Sequence, residues 1–194
     1  MTDGRTGEGA DGDEFDRLRR RVLWAMPTGL FVVGSRDGER RNLMTCNWVM
    51  QVATSPKLVA VGVESDSVTR GLVEAGGSFS VSLLARSDRN LVRRFVKPVR
   101  DLEVDGAGAA TSLQGEPVFE VADGLPVLAA AIAWLACTVR AVHGFDGTHP
   151  GAGSSHVLVV GEVVGAGETD RLATLSDDGD GVLSMDDTRM NYGG

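Results

Sequence analysis

The stretch NLMTCNWVMQVATSPKLVAVGVESDSVTRGLVEAGG, residues 42–77, decides the fold because it predicts strand, turn, strand, loop and helix in unbroken succession. If residues 41–54 are extended, successive side chains point to opposite faces. One face then carries Thr45, Asn47 and Gln51, and the other carries Met44, Cys46, Trp48, Met50 and Val52. We therefore predict one long strand with a polar face and a core face.

The rest of this stretch predicts a turn, a second strand and a helix. Ser55-Pro56 ends the first strand because proline donates no hydrogen bond to a sheet. Residues 58–63 are apolar and predict a buried strand. The helix that follows has its apolar positions at Leu72 and Val73, and Gly76-Gly77 predicts its end.

The loop before this helix has two interpretations. Asp66 or Ser67 is suited to an ordinary N-cap. Alternatively, the free backbone N–H groups of the helix start bind an anion, with Ser67, Thr69 and Arg70 as additional donors to a phosphate. Because caps far outnumber phosphate sites, these residues alone favour the cap.

Composition limits the classes of partner. The 194 residues include 19 basic and 27 acidic side chains, for a net charge of −8. This balance argues against a general binder of nucleic acid or of anionic membranes, which would repel the chain on average. We expect residues 1–13 to be a disordered tail, because they contain little apolar surface, and residues 14–194 to form one domain.

Cysteine usage and hydropathy predict a cytoplasmic protein. Cys46 and Cys137 each lie in an apolar run without metal-like spacing, so we expect both to be reduced and buried. The sequence shows neither a signal peptide pattern nor an apolar run of membrane-spanning length.

The remaining elements are read from periodicity and turn signals. We predict a helix over residues 14–24, strands over 30–34, 79–84, 127–142 and 156–164, a hairpin turn over 36–39, a short helix over 87–95, a surface loop over 101–114, an irregular segment over 117–126 and a glycine-rich loop over 143–155. Residues 127–142 would also suit a helix, although their last residues favour a strand.

The three histidines, His143, His149 and His156, show no i,i+4 pair and no acidic partner at metal spacing, so we predict no metal site. For His156 alone, a strand-end histidine bonded to the backbone is the simplest interpretation.

Several motifs, taken in order over residues 20–194, resemble the flavin reductase-like family of FMN-binding split barrels. The similar motifs are Pro27-Thr28-Gly29, Asn42-Leu43-Met44-Thr45-Cys46-Asn47-Trp48, Ser55-Pro56, Ser67-Val68-Thr69, Phe79-Ser80-Val81-Ser82-Leu83-Leu84, Phe95-Val96-Lys97-Pro98 and Ser155-His156 before Gly161-Glu162-Val163. The family's Asp before this histidine is Ser155 here, which removes an orienting carboxylate. The resemblance favours the phosphate interpretation of the loop and the strand interpretation of residues 127–142.

The resemblance implies a mostly β fold with flanking helices, namely a six-stranded antiparallel split β-barrel that works as a homodimer. It implies an FMN site, with FAD as the alternative flavin and NADH or NADPH as the reductant. It places Asn42, Thr45, Cys46, Asn47 and Trp48 along the flavin ring and ribityl chain. It places Ser65, Ser67, Thr69, Arg70 and Lys97 around the phosphate, and His156 and Tyr192 beside the ring, with His156 as the residue that acts in catalysis.

The implied function is an NAD(P)H-dependent flavin reductase that transfers hydride from nicotinamide to flavin. In such an enzyme the protein supplies position and electrostatics, and the cofactor supplies the chemistry. A monooxygenase or another acceptor protein would then receive the electrons. Two alternatives stay open: an FMN-binding electron carrier without reductase activity, and a barrel that binds a different planar ligand, which the departures at Ser82 and Ser155 allow.

Overall fold

Two antiparallel sheets dominate the computed structural model, which describes residues 12–146, 153–175, 179–188 and 190. The expectation of a mostly β protein with few helices is confirmed. The strands are β1 (Phe31–Asp37), β2 (Arg40–Cys46), β3 (Val49–Thr54), β4 (Lys57–Glu64), β5 (Ser78–Leu83), β6 (Leu102–Val104), β7 (Ala110–Leu113), β8 (Glu116–Val121), β9 (Leu125–Leu128), β10 (Ala133–Asp146) and β11 (Gly153–Glu168). The helices are α1 (Gly12–Trp24), α2 (Val68–Gly76) and α3 (Asp170–Thr174), and 3₁₀ turns cover Arg86–Asp88, Leu91–Phe95, Ala122–Gly124 and Met185–Asp187.

The main sheet has the strand order β2-β1-β5-β10-β11-β4-β3, seven strands within the described residues where six were expected. Its two edge strands, β2 and β3, are consecutive in the chain. At their junction Gly62 N donates to Trp48 O at 2.9 Å, and Cys46 Sγ donates to Gly62 O at 3.5 Å. The end of β2 therefore contacts β4, and the sheet curls so that its edges approach each other.

The expected single strand over residues 41–54 is wrong in one respect, because Asn47 and Trp48 interrupt it. The predicted alternation also fails on both sides of the break: before it the polar Thr45 is buried, and after it Met50 is 64% exposed and Val52 is 47% exposed. No other element of the described chain covers the face of β3 that carries Met50 and Val52, so periodicity alone assigned these residues to the wrong environment.

The second sheet has the strand order β6-β7-β8-β9 and corrects two predictions. Residues 101–114 are not a surface loop, and residues 117–126 are not irregular. The first hairpin, β6–β7, contains small residues without a strand-like pattern, so the sequence did not predict it. Asp105 Oδ1 accepts from Ala107 N and Ala109 N and stabilises the turn, and Ala110 is buried.

Side chains from the two faces of the main sheet form two cores. On the inner face, Val33, Val61, Val81 and Val159 pack around Phe79. On the outer face, residues of β1, β2 and β5 pack against the second sheet and the 3₁₀ turns, with Leu30, Leu43, Val127 and Phe95 nearly inaccessible. Ser80 Oγ also donates to Pro126 O at 2.6 Å and ties β9 to β5.

A segment near the C terminus, residues 180–188, crosses the ends of β1 and β5. Leu30 N donates to Leu183 O at 3.1 Å, and Leu183 N donates to Leu84 O at 2.9 Å. We call this segment the strap. Met185 and Asp186 of the strap lie beside Pro27–Gly29, and together they form one wall of a cleft.

The strand predicted over residues 127–142 lies later in the chain: β10 begins at Ala133 and continues to Asp146, and residues 127–128 belong to β9. β11 is longer than predicted, from Gly153 to Glu168. His143 therefore lies in a strand, and His149 falls outside the described residues. The first helix begins at Gly12 rather than at residue 14, and residues 1–11 also lie outside the described part. No helix in the described part of the chain is long and apolar enough to cross a membrane.

Candidate functional site

A cleft of about 940 Å³ lies between β4, β11 and the strap. Its described lining is Leu23, Trp24, Met26, Pro27, Thr28, Gly29, Asn47, Trp48, Val49, Met50, Ala60, Gly62, Ser154, His156, Val157, Leu158, Met185, Asp186, Thr188 and Met190. Among these described residues, only His156 and Asp186 have ionisable side chains. The cleft is therefore mostly apolar, with few polar groups, as small-molecule sites usually are.

Trp48 and His156 face each other in this cleft. Their ring centroids are 4.5 Å apart, and the ring planes meet at 67°, an edge-to-face arrangement. Trp48 projects here because the break between β2 and β3 releases it from the strand alternation. Beneath it lies Gly62, where a Cβ would come within 3.0 Å of the indole, so glycine gives the ring room to lie on β4.

His156 is held in place by its neighbours. It pairs in register with Glu64 on β4, and its Nδ1 lies 2.9 Å from Ser155 Oγ. Burial lowers the pKa of His156 below its ordinary value, although the Glu64 carboxylate acts in the opposite direction. The lowered pKa favours the neutral imidazole, and Ser155 occupies the orienting position in which the resemblance expected a carboxylate.

A pair of hydrogen bonds joins the cleft to the loop before α2. Ser65 Oγ donates to Ser154 O at 2.8 Å, and Ser65 N donates to Ser155 O at 2.9 Å. Since Ser154 lines the cleft, the start of α2 is next to the cleft's polar end.

The cap interpretation of this loop is confirmed in the geometry of Ser67. Its hydroxyl oxygen accepts from Arg70 N at 3.1 Å, and Gly77, at φ +69°, ends the helix. Arg70 braces the loop: its Nη1 donates to Ser65 O at 2.9 Å, and its Nε donates to Glu74 at 3.0 Å. The first backbone N–H groups of α2 have no acceptor within the helix, so a cap and an anion site are compatible here.

Asn42, Thr45 and Thr69 are buried rather than exposed to a ligand. Asn42 Nδ2 donates to Thr69 Oγ1 at 2.9 Å, and its Oδ1 accepts from Val99 N at 2.9 Å. Thr45 Oγ1 donates to Val92 O. These bonds tie α2 and the segment that carries Lys97 to β2, while the Lys97 side chain itself is exposed.

The other predicted site residues have different environments. Asn47 lines the cleft with Trp48. Cys46 is buried, and burial raises the pKa of its thiol to about 12, so it carries no thiolate at neutral pH. Tyr192 lies outside the described residues. No group of three or more potential metal-ligating side chains occurs among the residues the structure describes.

Sequence reasoning missed the strap side of the cleft. Met185, Asp186, Thr188 and Met190 are far from the other lining residues in sequence, and nothing in their spacing indicates a site. Pro27-Thr28-Gly29 belonged to the resemblance, but no role was predicted for it. Ser154 was also not predicted as a site residue. It lies next to Ser155 in sequence, but its contact with Ser65 depends on the pairing of β4 with β11.

The comparisons with known proteins agree on one family. The model of the flavin reductase like domain matches residues 23–183. The NADH-dependent FMN reductase AsuE2 of Streptomyces nodosus subsp. asukaensis is 28% identical over 144 residues, which are 74% of this chain and 70% of that protein. Diflavin flavoprotein A 1 of Nostoc sp. is 26% identical over 120 residues, 61% of this chain. The chain spans about a fifth of the length of that relative.

Among solved structures, the NADH:FAD oxidoreductase SgcE6 of Streptomyces globisporus, in complex with NAD and FAD fragments, superposes with a TM-score of 0.66. It is 25% identical, and the match covers 95% of this chain and 96% of that one. Because the family model covers most of the sequence, including β1 to β11 and the cleft's main walls, the chain belongs to the flavin reductase-like family.

Proposed function

We propose that this chain is a flavin reductase that takes hydride from NADH or NADPH, with the flavin ring in the cleft beside Trp48 and His156. One observation carries the proposal: an apolar cleft holding two facing aromatic rings is joined through Ser65 and Ser154 to the capped start of α2. An apolar, ring-shaped ligand with an anionic tail matches both parts of this arrangement.

The residues present fit a flavin. A cleft of about 940 Å³ has room for a flavin ring and a nicotinamide together, since small-molecule sites span roughly 300–1,000 Å³. The phosphate would lie at the backbone N–H groups that begin α2, with the cations Arg70 and Lys97 nearby. Asn42, Thr45 and Thr69 would then support this loop from below, because these side chains are buried and hydrogen-bonded inside the protein.

The flavin, when bound, supplies the ring that accepts hydride, and the chain's residues supply position. When Ser155 Oγ–H donates to Nδ1, the neutral His156 keeps its Nε2–H as a donor toward the nicotinamide amide. Apolar side chains such as Val157 and Leu158 exclude water from the ring, which protects the hydride donor and acceptor. A contact from Tyr192 to the ring belongs to the same proposal.

We propose FMN as the flavin, with FAD as the alternative, and a split barrel formed by the curled main sheet. The approach of Cys46 and Trp48 to Gly62 supports this closure. Reduced flavin would pass to a monooxygenase or to another acceptor protein. The buried free thiols Cys46 and Cys137 are compatible with a reducing, cytoplasmic compartment.

The homodimer is also part of the proposal, and exposed apolar surface supports it. None of the residues of α1 is buried in the described chain, although Phe15, Leu18 and Val22 lie at helical spacing. On β3, Met50 and Val52 are exposed on an edge strand. An apolar helix face and an edge strand of this kind are normally covered, and a second copy would cover both.

A second candidate function is an electron-transfer module that binds flavin but does not oxidise nicotinamide. The match to only a fifth of a diflavin flavoprotein favours it, because the related region there is one part of a longer protein.

One absorbance experiment separates these functions. The purified chain is titrated with FMN and with FAD, and NADH or NADPH consumption is then followed at each flavin concentration. Flavin binding with NADH oxidation supports the reductase. Flavin binding without oxidation of either nucleotide supports the electron-transfer module, and an absence of flavin binding contradicts both.

A further inference from the structure

A second cavity, of about 370 Å³, opens at the ends of β4 and β5 that lie away from α2. Most of its wall is carbon: Phe31, Val81, Leu83, Leu135, Val163 and Ala166 line it from β1, β5, β10 and β11. We call it the strand-end cavity. Val49 and Met50 of β3 line both this cavity and the larger cleft, so β3 forms a wall between the two.

The chemistry of the wall selects an apolar ligand. A cavity lined by aliphatic and aromatic carbon repels water and accepts hydrocarbon. A nucleotide or sugar would leave its hydrogen-bonding groups unpaired against this wall, at a large desolvation cost. The size lies within the range of ordinary small-molecule sites, roughly 300–1,000 Å³.

Among the described lining residues, polar side chains occur only on β3 and β4, at Gln51 and Lys57. Gln51 Nε2 already donates to Ala53 O at 3.0 Å, which holds this amide against its own strand. Lys57 is exposed and is the only ionisable group among the described lining residues. A single ammonium neutralises a single negative charge, and alone it would leave the second charge of a dianion uncompensated.

We propose that the strand-end cavity binds an apolar monocarboxylate, with its hydrocarbon part against Phe31 and Leu135 and its carboxylate at Lys57. A medium-chain fatty acid has this chemistry. The site is separate from the cleft, and its existence does not depend on the function proposed above.

Calorimetric titration of the full chain with hexanoate, octanoate and decanoate tests the proposal. Each methylene group that enters the cavity should lower Kd about fourfold, since burying one contributes roughly 0.8 kcal/mol. Ala166→Phe places a ring at the rim of the cavity and should abolish decanoate binding. Ala107→Phe is the matched control, because it adds the same ring to an exposed turn of the second sheet and should change nothing.

The charge is tested separately with Lys57→Met, which keeps the apolar stem. Decanoate should bind about two- to fivefold more weakly, as expected for an exposed ion pair, whereas decanol should bind wild type and variant equally. Lys57→Arg should restore decanoate affinity. Binding that survives Ala166→Phe, an equal loss for decanol, or stoichiometric displacement of decanoate by FMN would each overturn the assignment.

Discussion

A buried ion pair joins the two sheets, and its disruption should destabilise the protein strongly. Arg41 Nε on β2 lies 2.6 Å from Glu120 Oε1 on β8, and the side chains are only 2% and 13% exposed. The same carboxylate oxygen accepts from Ala110 N at 3.0 Å. Glu120→Gln keeps the shape and an oxygen for Ala110, but it leaves the Arg41 guanidinium buried without its counter-charge.

The expected loss follows from this burial. Removing one partner of a buried pair typically costs about 3–5 kcal/mol, because the remaining charge stays desolvated. Arg41 retains hydrogen bonds to Gly38 O and Gly108 O, both at 3.3 Å, and Glu120 is slightly exposed. We therefore expect a loss near the lower limit, about 3 kcal/mol of the free energy of unfolding.

The assay is urea unfolding followed by tryptophan fluorescence and circular dichroism. Arg140–Glu162 provides a matched control, because its N–O distance is also 2.6 Å but its side chains are 55% and 30% exposed. Glu162→Gln should cost at most about 1 kcal/mol, since solvent screens an exposed pair. A loss for Glu120→Gln no larger than that for Glu162→Gln would refute the reasoning that burial determines the strength of the inter-sheet clamp.

Three further predictions concern the site and the strap. His156→Ala should lower kcat/KM for NADH about ten- to a hundredfold, which corresponds to a loss of roughly 1.4–2.7 kcal/mol of transition-state stabilisation, while FMN stays bound. An unchanged rate of NADH oxidation in stopped-flow assays would show that this histidine takes no part in the reaction. Lys97→Met should weaken FMN binding about two- to fivefold at low salt and leave riboflavin, which lacks the phosphate, unaffected; an equal loss for both flavins would indicate a folding effect. Burial acts to raise the pKa of Asp187, but hydrogen bonds from Ser184 and the charge of Arg86 outweigh it and lower that pKa. A carboxyl group whose pKa is lowered by folding stabilises the folded state at pH values above its unfolded pKa. This stabilisation is lost as the pH falls through the folded-state pKa. The Tm of wild type should therefore fall more steeply below about pH 4 than the Tm of Asp187→Asn. Parallel Tm curves would contradict a role for this carboxylate in holding the strap.

The sequence by itself determined those local elements whose capping, turn-forming or apolar residues lie within a few positions of one another. A cap at Asp66 or Ser67, a helix end at Gly76-Gly77 and a turn at Ser55-Pro56 follow from the backbone chemistry of adjacent residues, and the structure has the cap at Ser67 and the end at Gly77. The apolar run of β4 likewise predicts a buried strand without any knowledge of its partners. For the same reason the order of motifs was sufficient to indicate the family.

Only the tertiary structure decided which side chains are available to a ligand. Asn42 and Thr69 carry polar groups suited to a phosphate, yet these residues, 27 positions apart in sequence, are hydrogen-bonded to each other in the interior. From the sequence, Ser155 replaces a carboxylate that would orient His156, but in the structure the Ser155 hydroxyl lies within hydrogen-bond distance of the adjacent His156 ring. Hydrogen-bonding capacity is a property of a residue, whereas its availability depends on which partners the fold brings near.

The second sheet and the strap show the same limit on a larger scale. Residues 101–126 contain small, polar and turn-forming residues, yet they form strands that pair with one another. The ion pair of Arg41 and Glu120, 79 positions apart in sequence, joins this sheet to the main sheet. The strap reaches the cleft because Leu183 fills the outer core between Leu30 and Leu84. Such contacts join segments distant in the chain, so local periodicity contains no signal for them, and the burial that stabilises them exists only after the chain has folded.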